Sequence, residues 1–152
     1  MSAGRLVRPN EFPWIARTYR HRGSIVYFCT GSLISSRHVL TAAHCVHRFS
    51  EEERKMRCKH SPIKFVPPLI EPSEFDVYVG TKCQKPFDCQ TAHRVKEVVS
   101  NLKDLCNWYD DIAILELDKD VSWEDTSPIC LPTENHELKN EMLLAGAGYD
   151  SE

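Results

Sequence analysis

Three observations predict an all-β fold, a small antiparallel barrel. Short segments rich in β-branched and aromatic residues recur along the 152 residues, turn-forming clusters separate them, and helical periodicity is scarce. The first strands are expected at 15–19, 25–33 and 39–41, with breaks at His21-Arg22-Gly23-Ser24 and Ser35-Ser36-Arg37-His38. Residues 46–72 read as an enlarged surface loop, in which 51–58 has room for a turn or two of helix before Pro62, Pro67 and Pro68 close it off. Loops of this length are usually functional or mobile. Further strands are expected at 75–79, 95–99, 112–117 and 142–145. No internal repeat or low-complexity segment is visible.

Composition bounds the function classes. With 41% apolar and 27% charged residues, the chain reads as one globular domain. A net charge of −3 gives no electrostatic case for nucleic acid. The basic runs at 17–22 and 54–60 read as solvated loop charges, the second beside Glu51-Glu52-Glu53. No apolar run reaches membrane-spanning length. Seven cysteines in so short a chain argue for an oxidising compartment. Against that, Arg5, Arg8, Pro9 and Glu11 interrupt the first fourteen residues, so no signal peptide can be read, and no Asn-x-Ser/Thr acceptor occurs. The expectation is a leader upstream of this start or an incomplete gene product.

The chemistry lies in Leu40-Thr41-Ala42-Ala43-His44-Cys45, where an apolar strand runs into small residues, a histidine and a cysteine. Ala42 and Ala43 leave room for a partner to approach the imidazole, as a mounted catalytic base requires. Cys29-Thr30-Gly31-Ser32-Leu33-Ile34 precedes this stretch and Asp111-Ile112-Ala113-Ile114-Leu115 follows it. With these motifs in this order, the chain resembles the first half of a chymotrypsin-like serine peptidase of the trypsin family, from Pro13-Trp14 to Gly146-Ala147-Gly148.

That resemblance implies the first of two six-stranded barrels, with the second, which carries the serine, oxyanion hole and specificity pocket, largely absent. It makes residues 1–152 a partial peptidase domain in which His44 is the general base and Asp111 its orienting carboxylate. Asp110 is the neighbouring competitor, but the pattern of Asp followed by Ile-Ala selects Asp111. The plain structural alternatives are a core histidine beside a disulfide and a carboxylate at a strand edge. Cys29 and Cys45 match a family disulfide, whose closure should stabilise by ~3 kcal/mol. Cys130 matches a cysteine that often bonds outside the first barrel, and so is the odd thiol. Cys58, Cys83, Cys89 and Cys106 allow three pairings, among which the sequence does not choose. Cys45-Val46-His47 and Cys58-Lys59-His60 are short Cys-x-His pairs without the repeated spacing of a structural zinc site, so neither metal nor cofactor is expected.

The chain departs from the family pattern in several places. None of the six glycines supports a Gly-Asp-Ser-Gly-Gly run; Gly148-Tyr149-Asp150-Ser151-Glu152 is the nearest imitation, and no nucleophile is assigned. The activation motif Ile-Val-Gly-Gly would fall on Met1-Ser2-Ala3-Gly4, where only Gly4 fits, while cleavage after Arg5 would expose Leu6-Val7 too near Pro13. Thr30 stands for a second glycine, and Ala147 for the tryptophan of Gly-Trp-Gly.

Two functions follow. One is a secreted, extracellular serine endopeptidase acting on protein or peptide substrates once a second barrel completes it, with these residues alone inactive. The alternative is a non-catalytic protease homologue that binds a protein partner. Under either, substrate preference depends on residues of the other barrel.

Overall fold

Six strands close into one antiparallel ring in the order β1-β2-β3-β6-β5-β4: β1 Ile15–Arg22, β2 Ile25–Leu33, β3 His38–Thr41, β4 Phe75–Val79, β5 His93–Ser100 and β6 Ala113–Leu117. The computed structural model describes residues 5–22, 25–60, 64–124, 126–137 and 139–146. Closure falls to β1, which pairs with β2 on one side (Ile15 opposite Ser32) and with β4 on the other (Ala16 opposite Val79). Side chains alternate across a strand, so each strand lends every second residue to the interior. Ala113, Leu115 and Leu117 of β6 meet Phe75, Val77 and Val79 of β4 and Val39 of β3 in one core. A bulge between Val95 and Glu97 resets this alternation in β5, burying Val95 and turning Val98 against the core.

Three expectations change. The basic run at 17–22 lies on β1 rather than in a solvated loop, with Arg17 and Arg20 buried. Residues 142–145 form no strand, and Met142, Leu143 and Leu144 are exposed. The physical reason is closure: every strand already has a neighbour on both sides, so the ring has no open end to which a further strand would add. Within 46–72, the helix is longer than a turn or two. It spans Glu51–His60 (α1). Ser50 Oγ accepts from the Glu53 amide at 3.1 Å, Glu51, Glu52 and Glu53 fill the first turn, and Arg54 and Arg57 pair back to Glu51 and Glu53. The base of this excursion is core, not surface. Val46 and Ile70 are buried and joined by an amide bond of 2.9 Å from Ile70 to the Val46 carbonyl. Between them His47 Nδ1 donates to Pro67 O at 2.5 Å, which leaves Nε2 to accept from Ser100 Oγ at 2.9 Å and ties the excursion to β5.

Three disulfides occur among the described residues: Cys29–Cys45, Cys58–Cys106 and Cys83–Cys89, with Cys130 free and exposed. The pairings left open in the sequence thus resolve into one long tie, from α1 to the loop before β6, and one short hairpin clip. The segment inside that clip wraps a buried cation: Arg17 donates to Gln84 O at 2.6 Å and Cys83 O at 3.1 Å. Burial lowers the affinity of its guanidinium for the proton.

The loop before β6 is organised by Asp104, whose buried carboxylate accepts from the amides of Phe65 (3.2 Å) and Cys106 (3.1 Å) and from Asn107 Nδ2 (2.6 Å). Burial pushes the carboxyl up, but these donors, with Lys64 nearby, outweigh it and hold it below its ordinary 3.8. The folded-state value lies below the unfolded one, so the stability Asp104 contributes is complete above 3.8 and is lost as pH falls through the lowered value. Asp104→Asn should therefore flatten the pH dependence of the urea midpoint below 3.8, and an unaltered acid profile would contradict this role. A second prediction concerns Gly31, where a Cβ would stand 2.7 Å from both Leu40 O and Val39 Cγ1. Gly31→Ala must push β2 away from β3 and should lower stability by about 1–3 kcal/mol in urea unfolding; an unchanged midpoint would show that the barrel yields freely there.

Candidate active site

The site forms because β3 and β6 are neighbours. Their last pair is Thr41 opposite Ala113, so the residues that follow Thr41 and those that precede Ala113 leave the barrel at the same end. Thr41 Oγ1 donates to Thr30 O at 3.1 Å and anchors the exit. Ala42 is extended, and Ala43–Cys45 then make a single 3₁₀ turn with Ala43 fully buried. The small Ala43 lets this turn sit against the core, and the Cys29–Cys45 bond fixes its far end to β2.

Asp111 holds His44 twice. One carboxylate oxygen accepts from the His44 backbone amide at 2.8 Å, and the other bonds Nδ1 at 2.7 Å. An ionised carboxylate only accepts, so Nδ1 carries the proton and the lone pair of neutral His44 resides on Nε2. The side chains are 40% and 22% exposed, so the pair stands at the surface with the carboxylate the deeper partner. Chemically, this is a base with a fixed tautomer and a fixed ring orientation. Asp110, the competing carboxylate, points elsewhere and pairs with Lys103 at 2.8 Å.

A third residue, which no sequence motif marks, belongs to the site. The Trp108 indole lies against the His44 ring, centroids 5.3 Å apart and planes 85° from parallel. Trp108 and Asp110 both adopt left-handed backbone, at φ 54° and 57°. This is an uncommon conformation for a bulky side chain. The available signal was an aromatic pair, Trp108-Tyr109, directly before the two aspartates. What the sequence did not carry is the backbone reversal that turns the indole onto His44.

Both Cys-x-His pairs have their cysteine in a disulfide, and His47 is engaged at both ring nitrogens. Cys29, His44 and Cys45 bring potential ligand atoms within 4.8 Å of one another, but the two sulfurs are bonded to each other, and a disulfide lacks the thiolates that hold zinc. Residues 147–152, with the Gly148–Glu152 imitation of a nucleophile motif, and the first four residues, with the expected activation position, lie outside the described residues.

The solved structure of GrC superposes with a TM-score of 0.61 at 22% identity, covering 88% of this chain and 49% of that one, a likeness of fold. Mannan-binding lectin serine protease 1 of Rattus norvegicus is 30% identical over 148 residues, covering 95% of this chain and 20% of that protein. CLIP domain-containing serine protease B10 of Anopheles gambiae is 32% identical over 139 residues, covering 83% and 35%. Coagulation factor IX of Cavia porcellus is 28% identical over 153 residues, covering 97% and 44%. The chain therefore spans less than half the length of each of these relatives. The family model for Trypsin matches residues 2–152. With a closed six-stranded barrel, His44 set against Asp111 and that match along nearly its whole length, the chain belongs to the trypsin family of serine proteases.

Proposed function

We propose that residues 1–152 are the histidine- and aspartate-bearing part of a Ser-His-Asp endopeptidase, with the serine and oxyanion hole supplied by a companion barrel. The observation that carries this reading is the double hold of Asp111 on His44, which leaves Nε2 as the proton acceptor. In the reaction, His44 Nε2 takes the serine hydroxyl proton as the oxygen attacks the peptide carbonyl, then returns it to the leaving amine. Asp111 stays ionised and stabilises the imidazolium. The assignment of the nucleophile to another barrel rests on the absence of a Gly-Asp-Ser-Gly-Gly run in these residues. Three disulfides support work in an oxidising, extracellular setting. No helix among the described residues is long and apolar enough to cross a membrane.

The test joins this chain, in one frame or by co-expression, to a barrel carrying the serine and oxyanion hole and follows turnover of a broad peptide panel. His44→Ala should lower turnover on the order of 10⁶-fold and Asp111→Asn on the order of 10⁴-fold, because each breaks a unit that acts together. The 152 residues by themselves should not react with a fluorophosphonate probe. Turnover that survives His44→Ala, or labelling of a serine in the isolated chain, would overturn the assignment. Binding of a protein partner without any turnover in the completed molecule would favour the non-catalytic homologue.

A further inference from the structure

The helix α1 and the loop before β6 are far apart in sequence, yet two contacts draw them together and a third sets the loop against His44. Cys58 on α1 is bonded to Cys106. Two residues on, Trp108 lies against the His44 ring. Arg54, one turn before Cys58, places its guanidinium 5.4 Å from the centre of the Trp108 ring. Arg54 is itself held, through Nε and one terminal nitrogen, by the two Glu51 oxygens at 2.9 and 2.6 Å. Its side chain is only 21% exposed although it stands on a surface helix. A guanidinium over an indole is an attractive pair, and one clamped by Glu51 gives up less freedom in making it. None of these contacts is required to close the barrel, whose ladder lies entirely within β1 to β6.

We infer that α1 is an access-controlling element of the His44 site: Arg54 and the Cys58–Cys106 bond hold Trp108 as a fixed wall beside the imidazole. Arg54 is then a positioning residue, acting on His44 only through the indole. As a substrate-access device this rests on the peptidase reading above, but the wall itself does not. A molecule that approaches His44 past this side meets an aromatic surface braced by a helix, and loosening the brace widens the approach. The Glu51–Arg54 clamp also neutralises the guanidinium, so the wall offers an apolar face with no net charge to select an acidic ligand.

The test is the rate at which diethyl pyrocarbonate modifies His44 in the full 152-residue chain near neutral pH, read by peptide mass spectrometry, with exposed His136 as internal reference. Trp108→Ala should accelerate modification of His44 most. Arg54→Ala should accelerate it about two- to fivefold, the range expected for one exposed cation–π contact, and the double replacement Cys58→Ser with Cys106→Ser should also accelerate it. His136 should be unaffected. An unchanged His44 rate in Arg54→Ala, with the far-ultraviolet spectrum of the barrel retained, overturns the proposal; so does acceleration confined to Trp108→Ala, which would make the indole self-supporting. Should the double cysteine variant fail to fold, Arg54→Ala alone decides. Failure of the peptidase reading shows in turnover, not in this rate.

Discussion

The site depends first on β3 and β6 lying side by side. Antiparallel pairing of Thr41 with Ala113 delivers the chain after β3 and the chain before β6 to one place, which is how residues 67 positions apart come within hydrogen-bond reach. Register is part of that constraint, since a slip of one residue would turn the buried Val39, Leu115 and Leu117 outward. The core therefore enforces the alignment from which the site is built. Asp111 then converts adjacency into orientation by holding both the backbone and the ring of His44, so that neither can rotate without losing a charge-assisted bond.

Between β5 and β6 the chain is held in a form it would not adopt alone. Left-handed backbone at Trp108 and Asp110 costs of order 1–3 kcal/mol each. Several independent ties offset it: the Asp104 carboxylate with its three donors, the Lys103–Asp110 ion pair, and the bond from Cys106 to α1. Strain gathered immediately before Asp111, with restraints on every side, is the pattern of a loop shaped to present side chains rather than merely to connect strands.

The six strands were legible because each carries its own periodic signal, and β2 and β4 begin and end where their β-branched and aromatic runs do. The adjacency of His44 and Asp111 was legible because the family resemblance rests on short contiguous motifs. Other features depend on the assembled molecule. Residues 142–145 have strand-like composition, yet whether a strand forms depends on a free edge, a property of the whole sheet. α1 runs to His60, past Cys58, whose bond to Cys106 is one of three connectivities compatible with the spacing. Trp108 is not legible in the sequence because its position follows from a positive φ that no residue type announces unless it is glycine.

Ring closure also decides how this domain can stick to other molecules. A ring in which every strand has a neighbour on both sides leaves no strand with a wholly open edge, which disfavours templated growth of the cross-β kind. Exposed apolar side chains outside the ladder, Leu131, Met142, Leu143 and Leu144 among them, offer a different kind of contact. Contacts made through such side chains are non-directional and weaken on cooling. Any association made through these side chains should therefore loosen on cooling.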